Sequence, residues 1–428
     1  MEIIKLHKLL IECDYKISTD TRKIIRKSIF FALKGKNFNG NHFANNAIKK
    51  GASYVVIDDK IEKKYDENLY IKVDNSLETL QNLAKYNRLQ SHAKIIALTG
   101  SNGKTTTKEL IKSVLEVKYN TISTDGNLNN NIGVPLTLLR IKPETQFAII
   151  EMGANNLGEI NFLTKLINPD YGYITNFGKA HLEGFKNIKG VIKGKTELYD
   201  WIIKSRKILI INSDDLVQQK YINKNSISFG KNENSNYHFE NISKNYVGAK
   251  YNGINVITNL YGDYNFSNLC AAISIGLNFN IDINEISYKL KNFNLSINRS
   301  EYIEKKNKKI ILDAYNANPT SMKSAIESFE KVEGNKIVIL GDMYELGKYQ
   351  KLEHEKIIEV CNSKKIDKCI FIGEIFYRLK NNISSNYFYK NKTDFFKNNN
   401  QIDETNILIK GSRGMKMEEI FKKILWKK

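Results

Sequence analysis

Residues 95–107 run as an apolar strand, a turn holding Gly100 and Gly103, and a helix start marked by Lys104, Thr105, Thr106 and Thr107. No other stretch limits the fold so strongly. A turn of this kind aims main-chain N–H groups and a helix N-terminus at phosphate oxygens, Lys104 adds a point charge, and the Thr105 hydroxyl suits Mg²⁺. The spacing departs from the common P-loop form, because Leu98 stands five before Gly103 and the first glycine, Gly100, comes three before it. Phosphate binding is still the reading that strand, turn, lysine and threonines share. Such a loop needs an acid at the end of a neighbouring strand to hold the metal. Residues 147–151 supply it, an apolar run ending in Glu151.

Around this loop, short apolar runs alternate with helical stretches, which predicts parallel sheets with crossover helices. Strands are expected over 95–98, 147–152, 171–175 and 208–211, with helices near 105–117 and 191–203. A second series, with strands over 310–312, 337–340, 369–372 and 407–409, makes a further α/β unit. A smaller unit precedes both. Boundaries are expected near Ser91 and within 294–299, giving units of 1–90, 91–296 and 297–428.

Lys and Arg number 66 against 46 acids, a net charge of +20 that invites a polyanion reading. The lysines are spread along the chain without an aromatic-interleaved stripe, so no nucleic-acid partner is expected. No run approaches the roughly 20 apolar residues of a membrane span, and the charged start Glu2, Lys5, His7 and Lys8 does not form a secretory signal. A cytoplasmic protein without a membrane partner is expected. Cys13, Cys270, Cys361 and Cys369 lack metal or disulfide spacing and are expected to be reduced core thiols.

Several further segments carry a resemblance: Gly126 to Leu136 with its run of asparagines, Glu151-Met152-Gly153-Ala154-Asn155, Ala180-His181-Leu182-Glu183-Gly184-Phe185, Tyr315-Asn316-Ala317-Asn318-Pro319, Gly341-Asp342-Met343-Tyr344-Glu345-Leu346-Gly347 and Lys410-Gly411-Ser412-Arg413. With the 99–107 loop, and in this order, they resemble the Mur ligase family, and the 151–155, 315–319 and 341–343 segments favour its D-alanyl-D-alanine-adding branch. The resemblance covers nearly the whole chain. It implies three α/β domains: a smaller N-terminal UDP-binding domain, a central P-loop-type parallel-sheet domain and a C-terminal Rossmann-like domain. It also implies ATP-driven amide formation between a UDP-N-acetylmuramoyl tripeptide and D-alanyl-D-alanine through an acyl phosphate, by an enzyme expected to be a monomer. A related ligase with another acceptor, such as a folylpolyglutamate synthase, a nucleic-acid-dependent ATPase and an idle scaffold are the alternatives.

The resemblance also assigns residues. Gly100, Ser101, Asn102, Gly103, Lys104, Thr105 and Thr106 would hold the phosphates, with Thr105, Glu151 and His181 on Mg²⁺. Lys195 would be carbamylated by CO₂, although on its own it reads as an exposed helix lysine beside Lys189 and Lys193. Asn268 would contact adenine, in a segment where Tyr264 replaces the family's His. Arg299 would reach the γ-phosphate, and Asp313 and Asn316 would face the nucleotide. Thr21, Arg22, Lys34, Gly35 and His42 would bind the uridine diphosphate end. Asn129 and Asn130 would meet the muramoyl peptide.

Overall fold

The apolar runs of the sequence become strands buried on both faces, as parallel sheets require. The computed structural model describes residues 2–61, 66–244, 246–293, 299–305, 307–398 and 402–426. Its largest sheet has seven parallel strands, in the spatial order Tyr237–His238, Ser226–Gly230, Ile208–Asn212, Tyr171–Ile174, Lys94–Thr99, Phe147–Glu151 and Thr121–Ser123. Successive side chains of Lys94–Thr99 point to opposite layers. Ile95 and Ala97 join a core with Leu163 and Leu198 from helices Glu159–Ile167 and Ile188–Lys204. Ile96 and Leu98 join another with Leu110 and Leu269, from helices Lys104–Leu115 and Phe266–Asn278.

A second sheet has six strands in the order Glu301–Lys305, Lys308–Asp313, Asn406–Lys410, Lys336–Gly341, Lys368–Ile372 and Asn386–Tyr389. All neighbours are parallel except the first pair, which is antiparallel. Asp313 and Lys410 are register partners at the ends of adjacent strands, so both reach the same edge of the sheet. The N-terminal residues form a smaller parallel sheet of Ile17–Ser18, Ile29–Phe31, Tyr54–Ile57 and Tyr70–Lys72.

The structure shifts some expected bounds. The loop helix begins at Lys104, not Thr105, because Gly103 at φ 78° is its left-handed N-cap. The strand ending at Glu151 stops one residue early, although the Met152 N–H still donates to the Leu98 carbonyl at 2.8 Å. An antiparallel sheet of Glu240–Asn241, Gly248–Tyr251 and Ile254–Ile257 was not expected, since its strands are only two to four residues long and interrupted by polar residues. Near Ser91 the chain is firmly anchored. Arg88, from the preceding helix, donates to the Ala93 and Ile167 carbonyls and pairs with Asp170 at 2.9 Å. Most of the second expected boundary, 294–298, lies outside the described residues.

All four cysteines are free and buried. Among the described residues no helix is long and apolar enough to cross a membrane.

Candidate active site

Three loops leave the carboxyl ends of the adjacent strands Phe147–Glu151, Lys94–Thr99 and Tyr171–Ile174, the place where open α/β sheets form ligand crevices. The six-stranded sheet faces them, and a cavity of about 670 Å³ lies between, lined from one side by Ser101 to Thr106, Glu151 and His181 and from the other by Arg299, Asp313, Tyr315 and Lys410.

The 100–103 turn is shaped by two glycines. A Cβ on Gly100, at φ 145°, would lie 1.9 Å from Thr175 Oγ1, and one on Gly103 would lie 2.7 Å from Asn268 Oδ1. The neighbouring loop frames the turn. Ser101 N–H donates to the Asn176 carbonyl at 3.0 Å, Asn102 N–H to Asn176 Oδ1 at 3.0 Å, and Thr175 Oγ1 to the Asn102 carbonyl at 2.6 Å. Lys104 Nζ donates to the Gly100 carbonyl at 2.8 Å, which folds the side chain over the turn. Burial lowers the Lys104 pKa; Glu151 opposes the shift and Arg299 adds to it. The first amides of the helix have no intrahelical acceptors, so the cavity meets a positive helix end beside a cation.

Glu151 is 2% exposed and held on both oxygens. Thr105 Oγ1 donates to Oε2 at 2.8 Å and Asn129 Nδ2 to Oε1 at 2.8 Å. Asn129, expected on the peptide, therefore orients the carboxylate as well as lining the cavity. Asn130 Oδ1 accepts from the Gly133 N–H at 2.9 Å, at the start of helix Gly133–Leu138.

His181 lines the cavity in a left-handed conformation, φ 51°. Its buried Nδ1 lies 2.6 Å from Glu345 Oε2. His181 lowers the Glu345 pKa, against burial. Since Glu345 belongs to the segment following strand Lys336–Gly341, this contact joins the two large sheets' loops.

The reading of Lys195 as an exposed helix lysine is overturned. Helical periodicity leaves Lys189 and Lys193 exposed but turns Lys195 inward, to 1% exposure. Its pKa is pushed down to about 7, by burial first and then by Lys104, with Glu159 and Glu197 opposing. Gly194 beside it lets the Phe185 ring pack close, since a Cβ there would sit 2.5 Å from that ring. Lys195 is not among the residues lining the cavity.

Asn268 lines the cavity, but its Oδ1 accepts from Thr107 Oγ1 at 3.0 Å and its Nδ2 donates to Asn265 Oδ1 at 2.9 Å. Only one amide hydrogen remains for a base. The Arg299 guanidinium lies 3.4 Å from the centre of the Tyr315 ring. Asp313 is ion-paired with Lys410, whose Nζ also approaches the Asn316 carbonyl at 3.3 Å.

The expected uridine residues lie apart from the cavity, in the N-terminal unit. Thr21 and Arg22 sit in a short turn where the Arg22 fork clasps Asp20, at 2.9 Å from Nε and 2.7 Å from Nη2. Lys34 and Gly35 form a hairpin strand, Lys34 lying 3.2 Å from Asp58, and His42 lies in the turn Gly40–Phe43.

Sequence reasoning assigned no role to Lys410, Asn318, Asn176 or Glu345. Asn318 Nδ2 donates to Asn102 Oδ1 at 2.7 Å, across 216 residues of chain. The segments 315–319, 341–347 and 410–413 signalled the neighbourhood of three of these residues; a lone loop asparagine such as Asn176 carries no signal.

The Mur ligase middle domain matches residues 98–276, the Mur ligase glutamate ligase domain 298–413, and the Mur ligase family catalytic domain 15–88. The chain belongs to the Mur ligase family. It is 34% identical to the UDP-N-acetylmuramoyl-tripeptide–D-alanyl-D-alanine ligase of Bacillus subtilis over 96% of this chain and 93% of that enzyme. It is 32% identical to the Escherichia coli enzyme of the same name, over 94% and 92%. Among Mur ligase structures, MurF from Acinetobacter baumannii superposes with a TM-score of 0.86 at 28% identity, covering 96% of this chain and 93% of that one. MurF from Thermotoga maritima in complex with ADP gives 0.82 at 25% identity, over 96% and 97%.

Proposed function

We propose that this Mur ligase joins D-alanyl-D-alanine to a UDP-N-acetylmuramoyl tripeptide at the expense of ATP. The observation that carries the reading is the cavity itself: a phosphate-type loop with its lysine, an oriented carboxylate and a stacked arginine face one another between two sheets. The near full-length similarity to ligases of that name sets the substrates.

A carboxylate oxygen of the tripeptide attacks the γ-phosphorus of ATP, the bond to the bridging oxygen breaks, and ADP leaves. The dipeptide amine then attacks the acyl phosphate carbon and loses a proton, and inorganic phosphate departs. Both steps gather negative charge, so catalysis rests on placed cations and dipoles. Lys104 and the amides of residues 102–106 hold the β- and γ-phosphates. Arg299 reaches the γ-phosphate, Asp313 and Asn316 face the nucleotide, and Asn268 offers its remaining amide hydrogen to the base. Thr21, Arg22, Lys34, Gly35 and His42 bind the uridine diphosphate end, while Asn129 and Asn130 contact the peptide.

The paired oxygens of Thr105 and Glu151 suit Mg²⁺, which takes one or two protein oxygens together with substrate phosphates. Thr105, Glu151 and His181 would hold the ion, which would supply positive charge against the phosphates. Lys195, buried and with a pKa near 7, is an amine that is largely neutral in mildly alkaline solution, the form that takes up CO₂. Its carbamate would add an anion behind the Lys104 wall of the cavity. We assign residues 1–90 to muramoyl-nucleotide binding, 91–296 to ATP, and 297–428 to a Rossmann-like domain that completes the cavity. The free thiols fit a reducing cytoplasm, and one chain supplies every residue named, so a monomer suffices.

The deciding experiment incubates the protein with ATP, Mg²⁺, D-alanyl-D-alanine and a tripeptide nucleotide ending in lysine or diaminopimelate. Phosphate release that needs both substrates, with a mass gain of one dipeptide, is expected with one of the two tripeptides. Silence with both, on ATP-binding protein, would point to another acceptor. His181→Ala is expected to raise the Mg²⁺ concentration for half-maximal rate severalfold. An unchanged metal titration would leave His181 a contact to Glu345 alone.

A further inference from the structure

Tyr264 stands where the resembling segment of the family has His, and its surroundings give the substitution a purpose. The residue lies in the short turn Asp263–Asn265, ahead of helix Phe266–Asn278, and lines the nucleotide cavity. Its ring packs on Gly262, where a Cβ would come within 2.3 Å of Tyr264 Cε1. Its hydroxyl lies 2.8 Å from the Ser300 hydroxyl, so a side chain of the central unit is tied to the chain entering the six-stranded sheet. Burial, with Asp313 nearby, raises the Tyr264 pKa and keeps the phenol protonated, able to donate.

Ser300 is in a conformation that serine rarely adopts. It is 9% exposed with φ 47°, in the left-handed region where a Cβ is crowded. Such a backbone persists only when its surroundings hold it. Immediately before it is Arg299, stacked at 3.4 Å on the Tyr315 ring, and immediately after it begins the edge strand Glu301–Lys305. The direction in which Arg299 leaves the chain is therefore set by the Ser300 backbone.

We propose that the Tyr264 hydroxyl, by holding Ser300, sets the angle at which Arg299 enters the nucleotide cavity, making Tyr264 a positioning residue for phosphoryl transfer. The proposal rests on the role given to Arg299 above. An imidazole grown from the same Cα is shorter, so this tie belongs to the tyrosine.

The test uses the full chain in the two-substrate assay with Tyr264→Phe, Ser300→Ala, Arg299→Ala and their double variants. Phenylalanine keeps the ring on Gly262 and removes only the hydroxyl. Tyr264→Phe and Ser300→Ala are each expected to lower kcat about tenfold, since misplacing a charged group by a fraction of an ångström already weakens catalysis. The KM for ATP should stay within about twofold, because loop and base contacts remain. The Tyr264→Phe/Ser300→Ala double variant should lose no more than either single one, and Tyr264→Phe should cost nothing further in the Arg299→Ala background. Wild-type kcat in Tyr264→Phe, or a loss that adds in full to that of Arg299→Ala, would overturn the proposal. Should Arg299→Ala itself keep wild-type kcat, the assignment of Arg299 falls and the proposal with it. If Tyr264→Phe does not fold, Ser300→Gly carries the test, because it relieves the backbone and removes the other hydroxyl of the pair, and it is expected to lower kcat by a similar factor.

Discussion

Lys104→Ala is expected to reduce ligation by about 10³-fold or more, the scale on which phosphoryl transfer depends on a single well-placed cation. The side chain reaches back over the 100–103 turn to the Gly100 carbonyl at 2.8 Å, which holds its charge where the β- and γ-phosphates would lie. Among the described residues no other lysine or arginine lines that wall. Arg299 comes from the opposite wall and is stacked on Tyr315. The helix amides survive the substitution, so weak nucleotide binding should persist while turnover fails. Steady-state phosphate release and ADP calorimetry on the same preparation separate the two, and turnover within tenfold of wild type would remove the phosphate role from this loop.

Lys195→Ala is expected to be nearly inactive and partly restored by a short carboxylate such as formate or acetate, which can enter the gap left by the side chain. Full activity without rescue would reduce Lys195 to a packing residue. Its pKa of about 7 gives the reaction a pH signature. The neutral amine takes up CO₂, so activity should rise with pH through about 7, and added bicarbonate should move that rise to lower pH. The same shift bears on stability when the amine is unmodified. The folded state binds fewer protons than the unfolded state between about 7 and the ordinary lysine value of 10.5, so stability should increase as pH climbs through that window and fall as pH drops towards 7. Lys195→Met removes the titration and should flatten this slope in denaturant melts, while abolishing activity.

The two readings of Lys195 show where sequence reasoning stops. Beside Lys189 and Lys193 it looks like one of three similar lysines, and only the helix Ile188–Lys204, packed with Leu198 and Tyr199 inward, separates them. Asn129 and Asn268 tell the same story. Each has an amide that suits a ligand, yet the folded chain engages both groups, one on Glu151 and the other between Thr107 and Asn265. Partners separated by 161 residues, as Thr107 and Asn268 are, leave no spacing to read.

Local chemistry was legible because it is written in consecutive residues. An apolar run, two glycines and Lys104-Thr105 specify a strand, a tight turn and a helix end, and Phe147 to Glu151 ends in its acid for the same reason. The alternation of runs and helices likewise determined parallel sheets, since strands buried on both faces must be apolar throughout. Tertiary structure alone decided which loops meet. It brought Asn318 to Asn102, Glu345 to His181 and Tyr264 to Ser300, and it set Lys410 beside Asp313 by strand register. Contacts of that kind depend on how one sheet's edge faces another's, a long-range packing outcome to which no single segment of the chain is committed.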